Sequence, residues 1–418
     1  MDSIIVQGGM GLQGKVKIQG SKNAALPILA ACLLTKDQIV LENCPKISDV
    51  FGMLHILESL GCEVTWEKDA LCIKAENVDS CAVPKAMARS MRSSIFLLGA
   101  LLGRNRKAKL DFPGGCVIGK RPIDLHLKGL SQMGVTFEQE GDEVKAQAPE
   151  GLYGAEIWLE IPSVGATENL IMAGISAKGI TRIHGAAREP EVQALCEFLN
   201  SCGAVIKGAG ESVITMEGGH DLRGVTYGIP ADRIVAGTYL FSGFATGGEI
   251  FLEDAPLEQM TACMDVARVM GAALTGDSRG LYVQYPKKPG YLPYVKTEVY
   301  PGFPTDLQSA LLAVRCTGQG ETILEETIFE DRFRVMEELN AMGARVDMEN
   351  ENSVRICGVD SLHGANIRAH ELRGGAALVI AALGAKGTTV IGGRHFIERG
   401  YESIGRDFRE LGARIVSD

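Results

Sequence analysis

Of the 11 cysteines in this 418-residue chain, one sits in surroundings unlike the rest. Cys116 follows Pro113-Gly114-Gly115, precedes Gly119, and has Lys120 and Arg121 close in sequence. A thiol on a glycine-rich loop beside two cations is expected to have a depressed pKa, and therefore more thiolate near neutrality. On local sequence alone, a catalytic thiol and an incidental loop cysteine both fit. Cys32 and Cys196 fall within apolar helical patterns and Cys62 fills a slot where later repeats use Ala, so packing accounts for them. No two cysteines lie within three positions of each other, and the seven histidines show neither HExxH nor other tight ligand spacing. No metal and no cofactor is expected.

The other candidate groups are charged. Lys22, Arg92, Arg233, Asp306 and Arg373 all stand at the openings of strongly apolar segments. A helix N-terminus already carries partial positive charge and free N–H donors, so it favours anions. Adding cations there opposes the local dipole. For any one of them a solvated or salt-bridged arginine is reading enough, but several at equivalent positions favour an anion site. A local basic cluster in a chain of net charge −10 suits a small polyanion better than nucleic acid.

Two glycine motifs carry no nucleotide chemistry. Gly9-Met10-Gly11-Leu12-Gln13-Gly14 matches GxGxxG, but the following Lys15-Val16-Lys17-Ile18-Gln19 alternates as a strand, where a dinucleotide site needs a helix. A β-hairpin is expected there. Gly114 to Lys120 fits the glycine and lysine spacing of a P-loop, yet Arg121 stands where Ser or Thr would ligate magnesium.

The elements that must hold these residues repeat along the chain. An apolar residue, a Gly, a small residue and a strand-like tail recur at Gly61, Gly134, Gly203, Gly271, Gly343 and Gly412, spaced 73, 69, 68, 72 and 69 apart. Each unit opens with an almost wholly apolar helix, such as ALPILAACLL after Lys22-Asn23 or AALVIAALG after Arg373-Gly374-Gly375. A short strand follows, then an amphipathic helix ending at the recurring Gly as a C-cap. A helix apolar on all sides must be buried on all sides. The pattern therefore predicts an α/β protein of six βαβαββ-type units in two inside-out barrel domains, three units each, with buried helices surrounded by sheets. The expected division is residues 22–230 against residues 1–21 with 231–418, switching near Gly228-Ile229-Pro230.

Composition agrees with a folded protein: 46% of residues are hydrophobic and 22% charged. No apolar run approaches the roughly 18 residues a membrane span needs. The opening Met-Asp-Ser-Ile-Ile-Val-Gln lacks the basic region and apolar core of a signal peptide, so a cytoplasmic location is expected.

At Gly20-Ser21-Lys22-Asn23-Ala24-Ala25, Pro113 to Gly119, Arg121-Pro122-Ile123-Asp124-Leu125-His126 and Phe303-Pro304-Thr305-Asp306, the chain closely resembles the UDP-N-acetylglucosamine 1-carboxyvinyltransferase family of enolpyruvyl transferases. The similarity continues through Pro162 to Thr167 and Glu398 to Glu402. The resemblance implies transfer of an enolpyruvyl group from phosphoenolpyruvate to the sugar 3-hydroxyl, through a tetrahedral intermediate, with loss of phosphate. It implies that Cys116, Asp306, Lys22 and Arg399 are catalytic, Cys116 as proton donor and site of a covalent adduct. Lys22, Asn23, Arg121, Arg332, Arg373 and Arg399 would bind phosphoenolpyruvate. Asn23, Arg92, Arg121, Pro122, Ile123, Asp124, Leu125, Ser163, Val164, Gly165, Asp306 and Ile328 would contact UDP-N-acetylglucosamine. These two small molecules are the expected partners, with no nucleic acid, no membrane, and a monomer as the expected state. The family often has Trp where Phe96 stands and Lys in the segment Glu160-Ile161-Pro162, differences that touch the uridine contacts rather than the chemistry.

Two rivals share parts of this pattern. One is the sister 3-phosphoshikimate 1-carboxyvinyltransferase, which resembles the chain less at the cysteine loop. The other is a non-catalytic paralogue that senses UDP-sugars, which would have no need of an acid and a base. The thiol itself is testable. Fosfomycin, an epoxide phosphonate shaped like phosphoenolpyruvate, should alkylate Cys116 alone among the 11 cysteines, faster when UDP-N-acetylglucosamine is present, and not at all in Cys116→Ser. Peptide mass mapping reads the outcome, and labelling centred on another cysteine would remove the case for Cys116.

Overall fold

A computed structural model describes residues 2–111 and 123–416. The six apolar segments are helices: α1 (Lys22–Ala31), α2 (Phe96–Asn105), α3 (Val164–Gly174), α4 (Arg233–Thr246), α5 (Gln308–Arg315) and α6 (Leu372–Gly384). Every residue from Ala24 to Ala31, from Arg233 to Phe244 and from Leu372 to Leu383 is buried, as helices without a polar face require. The chain divides into two compact units, one of residues 20–111 and 123–230, the other of residues 2–19 and 231–416. Each has its own apolar core. In the first, α2 packs on α1 and α3; in the second, α4, α5 and α6 pack on one another.

One repeat shows the plan. Strand Glu156–Trp158 leads into α3, then come strand Ile180–His184, helix Pro190–Ser201 and strands Val205–Lys207 and Val213–Glu217. Ile183 pairs with Ile157 in parallel and with Ile214 antiparallel, giving one four-stranded sheet over the helices. Strands Tyr294–Lys296 and Asn366–Arg368 stand in the same place before α5 and α6. Three repeats borrow strands from elsewhere in the sequence. The strand belonging before α1 is Thr226–Gly228, parallel to Gln38–Glu42, and the one before α4 is Leu12–Lys17, parallel to Gly248–Glu253. The last repeat is completed by Ser3–Gln7, antiparallel to Thr388–Gly392 and Arg414–Val416. Before α2 only an isolated bridge, Ala82 to Lys109, replaces the strand.

This corrects the hairpin expected around Gly9 to Gly14. The strands Ser3–Gln7 and Leu12–Lys17 both exist, but they lie in different sheets. Each completes the sheet of a repeat that otherwise lacks a strand. The turn between them is pinned to the end of α6, Gly8 N donating to Gly387 O at 3.0 Å and Gly9 N to Leu383 O at 2.8 Å. A Cβ on Gly8 would stand 2.2 Å from Ala385 O, so only glycine allows that approach.

The recurring glycines end the six outer helices, which are Ser48–Ser59, Asp124–Gln132, Pro190–Ser201, Thr261–Val269, Val335–Ala341 and Ile404–Glu410. All six have φ between +86° and +109°. Each is followed by an N–H that reaches back five residues, from Cys62 to Leu57 O (3.0 Å) in the first repeat to Ala413 to Phe408 O (2.9 Å) in the last. That is the Schellman closure, which turns the chain sharply into the next strand. No helix among the described residues is long and apolar enough to cross a membrane.

Gly343 tests the closure, because a Cβ there meets nothing nearer than 3.4 Å while φ is +93°. Gly343→Ala should therefore lose about 1–2 kcal/mol through backbone strain alone. A lowered melting temperature with unchanged activity of the folded protein is the expected result.

Candidate active site

A buried helix leaves its first N–H groups without intrahelical acceptors, so each opening must supply polar partners. Ser21 Oγ accepts from Ala24 N at 3.3 Å, and Ser163 Oγ from Ala166 N at 3.4 Å. Asp232 Oδ1 accepts from Ile234 N and Val235 N at 2.8 and 3.0 Å. Glu371 takes Arg373 N at 2.7 Å and Gly374 N as well. The openings are thus where polar chemistry collects on otherwise apolar helices.

In the unit of residues 20–111 and 123–230, Lys22 is the first residue of α1 and its Nζ lies 2.7 Å from Asp49 Oδ2 on the neighbouring outer helix. Asn23 follows, half-buried. Arg92 begins a 3-10 turn, Arg92–Ile95, that runs into α2, and burial pulls its pKa down. Ile123 is buried, Asp124 exposed and Leu125 half-buried at the start of helix Asp124–Gln132. Ser163, Val164 and Gly165 form the half-buried opening of α3. His126 packs there, its Cε1 lying 3.3 Å from where a Cβ on Gly165 would be. Cys116, Arg121 and Pro122 lie outside the described residues.

In the other unit, Asp306 sits in the 3-10 turn Thr305–Leu307 ahead of α5. Its Oδ1 is 2.8 Å from Arg332 Nη2 and its Oδ2 is 2.9 Å from Arg373 Nη2. Both arginines are only 5% exposed. Burial works against the Arg373 charge, but Asp306 leads the groups that hold its pKa above the usual arginine value. One carboxylate cannot satisfy two guanidinium groups. Arg332 Nε and Arg373 Nη1 are buried with no acceptor among the described residues. Such a surplus of donors is suited to a carboxylate or phosphate. Arg399, half-buried, follows helix Arg394–Ile397. Ile328 is half-buried, its N–H held by Glu326.

The structure brings Asp306, Arg332 and Arg373 into contact in one unit, and Arg92, His126 and the Ser163 to Gly165 turn close together in the other. Sequence reasoning named Asp306 but missed two other carboxylates, Asp49 beside Lys22 and Glu326 beside Thr305. Asp49 was legible as a charge on the buried stripe of an amphipathic helix, next to Val50 and Met53. Glu326 was legible too, because it continues the inward alternation of Thr322 and Leu324 one residue past strand Glu321–Glu325. Its Oε2 accepts from Thr305 Oγ1 at 2.8 Å, and its Oε1 from Ile328 N and Phe329 N at 2.8 and 3.1 Å. This one buried carboxylate sets both the residue before Asp306 and the loop carrying Ile328. The cysteines of the apolar patterns are packing residues: Cys32 is buried, and burial pushes the Cys62 and Cys196 thiols up to about 12. Among the described residues no group of three or more His, Cys, Asp or Glu side chains is arranged to hold a metal ion.

The fold is that of the enolpyruvyl transferases. The enolpyruvyl transferase NikO from Streptomyces tendae superposes with a TM-score of 0.88 at 24% identity, covering 99% of this chain and 98% of that one. EPSP synthase from Acinetobacter baumannii gives 0.77 at 19% identity, covering 99% of each. A family model described as EPSP synthase (3-phosphoshikimate 1-carboxyvinyltransferase) matches residues 6–408, and the chain belongs to that family. Within it, the chain is 45% identical over 416 residues to UDP-N-acetylglucosamine 1-carboxyvinyltransferase 2 of Caldanaerobacter subterraneus subsp. tengcongensis, covering 100% of this chain and 99% of that protein. It is 44% identical to UDP-N-acetylglucosamine 1-carboxyvinyltransferase 1 of Carboxydothermus hydrogenoformans, covering 99% and 98%.

Replacing Glu326 by Ala would orphan one hydroxyl and two backbone donors. Glu326→Ala should lose about 1–3 kcal/mol of stability, and Glu326→Gln clearly less, because an amide oxygen can still accept from Ile328 N and Phe329 N. Thermal melts of the two variants make the comparison.

Proposed function

We propose that this chain transfers the enolpyruvyl group of phosphoenolpyruvate to the 3-hydroxyl of UDP-N-acetylglucosamine, releasing phosphate, the first committed step of peptidoglycan synthesis. The observation that carries the acceptor is the end-to-end identity of 45% with a UDP-N-acetylglucosamine 1-carboxyvinyltransferase. The buried donors of Arg332 and Arg373 support the anionic donor substrate.

In this reading Lys22, Arg121 and Arg399 hold phosphoenolpyruvate, with Arg332 and Arg373 nearby. Several cations are needed because its phosphate and carboxylate repel one another, and arginine can grip either in bidentate fashion. Cys116 gives a proton to the methylene carbon while the sugar oxygen bonds to the adjacent carbon, giving the tetrahedral adduct. Loss of a proton from the new methyl group and departure of phosphate then restore the double bond. Asp306 takes the proton of the attacking hydroxyl. Both its oxygens are engaged by guanidinium groups, so accepting that proton means loosening one of those bonds. Asn23, Arg92, Pro122 to Leu125, Ser163 to Gly165 and Ile328 complete the acceptor site.

Phosphate release should require both phosphoenolpyruvate and UDP-N-acetylglucosamine. Release with shikimate 3-phosphate in place of the sugar nucleotide would reassign the acceptor, and binding without any release would make the chain a sensor. Asp306→Ala should lose about 10²- to 10⁴-fold in turnover while keeping most of its affinity for the UDP-sugar. Near-normal turnover would leave Asp306 only the task of holding Arg332 and Arg373.

A further inference from the structure

Arg399 stands on a loop between two short helices, Arg394–Ile397 and Ile404–Glu410. The loop has few backbone bonds of its own. Gly400 N and Tyr401 N both turn back to Ile397 O, at 3.1 and 3.2 Å. Gly400 O and Glu402 N, on either side of Tyr401, must find partners outside the loop.

One side chain meets both. Gln19 Nε2 donates to Gly400 O at 3.1 Å, and Gln19 Oε1 accepts from Glu402 N at 2.9 Å. A carbonyl only accepts and an N–H only donates, so the pair admits a single orientation of the amide. The main chain around Gln19 is itself anchored. Ile18, 1% exposed, donates its N–H to Glu253 O at 2.9 Å, and Gln19 O accepts from Asp232 N at 2.9 Å. The half-buried amide therefore reaches the loop from a fixed point between strand Leu12–Lys17 and the cap of α4.

What the loop supports gives this clamp its consequence. Tyr401 is 1% exposed, and a hydrogen bond of 2.8 Å links its hydroxyl to Thr238 Oγ1 on α4. Burial raises the Tyr401 pKa, while the Arg373 charge beside it pulls the other way. A Cβ on Gly400 would stand 2.8 Å from Leu372 Cδ2, so the loop lies directly on the first turn of α6. The segment that carries Arg399 is thus packed on the residues that carry Arg373.

We propose that Gln19 is a positioning residue of the phosphoenolpyruvate site, its amide fixing the loop that presents Arg399 and backs Arg373. The assignment rests on the donor site proposed above, in which Gln19 itself touches no substrate.

Steady-state phosphate release by the full-length protein, with each substrate varied in turn, is the test. Gln19→Met keeps the length of the side chain and loses both hydrogen bonds. It should raise the KM for phosphoenolpyruvate about 10- to 100-fold, as a displaced binding group does, and leave the KM for UDP-N-acetylglucosamine within about threefold. A merely structural residue would lower kcat through the folded fraction and leave both KM values alone. That result, or an equal rise in both KM values, would overturn the proposal. Gln19→Glu supplies the rescue. Its carboxylate accepts from Glu402 N but repels Gly400 O, whereas the protonated acid restores the donor and acceptor of the amide. A carboxyl facing a carbonyl oxygen titrates above its usual value, so protonation is favoured as the pH falls from about 8 to about 5. Over that range the KM of Gln19→Glu for phosphoenolpyruvate should approach that of the wild type at the same pH, and no recovery would count against the clamp. If Gln19→Met does not fold, Gln19→Glu carries the test. If the wild type releases no phosphate with both substrates, the reading of the site fails. Phosphoenolpyruvate titrated calorimetrically into the wild type and Gln19→Met then still judges Gln19, equal affinities going against it.

Discussion

Burying a helix on every side is the constraint on which the rest of the structure depends. Such a helix has no solvated face, so its backbone polar groups must be satisfied within the helix or at its ends. Residue choice follows: Leu, Ile, Val, Ala and Gly along the length, and Ser21, Ser163, Asp232 or Glu371 at the opening. Polar side chains placed mid-helix are exceptions with consequences. Asn169 is bonded on several sides and orients His126. Glu168, next to it, is fully buried with both oxygens unpartnered, and burial, then Glu191 and Glu189, raise its pKa well above the usual carboxyl range. Burial thus favours the neutral acid over the charged form at this position.

Cations at helix openings work against the dipole, and the structure meets that cost with carboxylates from other elements. Lys22 is matched by Asp49, and Arg332 with Arg373 by Asp306. In the second match two guanidinium groups share the oxygens of one carboxylate, and the Asp232 charge adds to the hold on Arg373. An isolated surface ion pair contributes about 0–1 kcal/mol, but removing one partner of a buried set leaves an uncompensated charge that costs several times more. The cluster therefore holds its members together while leaving Arg332 Nε and Arg373 Nη1 without a partner among the described residues.

What the sequence made legible was what a single local rule enforces. Only glycine settles easily at φ near +90°, so six Schellman closures put six glycines at near-constant spacing. Full burial shows as an unbroken apolar run, so the central helices and the charges at Lys22, Arg92, Arg233, Asp306 and Arg373 could be placed from the chain alone. Strand exchange was not legible. Leu12–Lys17 and Ser3–Gln7 alternate as any strand does, and nothing local says that one completes the repeat of α4 and the other that of α6. The contact of His126 Nδ1 with Asn169, 43 residues away, was equally hidden, since the orientation of Asn169 is itself set by the N–H of Gly99.

The glycines at these contacts show why a repeated architecture can carry unrepeated chemistry. A Cβ on Gly99 would lie 2.3 Å from Asn169 O, so the close approach of α2 and α3 that orients Asn169 exists only with glycine at that position. Gly165 likewise leaves space for the His126 ring at the α3 opening. The equivalent opening of α1 carries Lys22, that of α4 carries Arg233 and that of α6 carries Arg373. The fold fixes where a polar group can stand, and the residues packed beside each opening decide which group it is. A lysine needs the reach of a carboxylate such as Asp49, an arginine pair needs a shared Asp306, and a neutral histidine needs an amide that can point its nitrogen at Nδ1. The repeats therefore differ less in their central helices than in the unrepeated neighbours of the first turns.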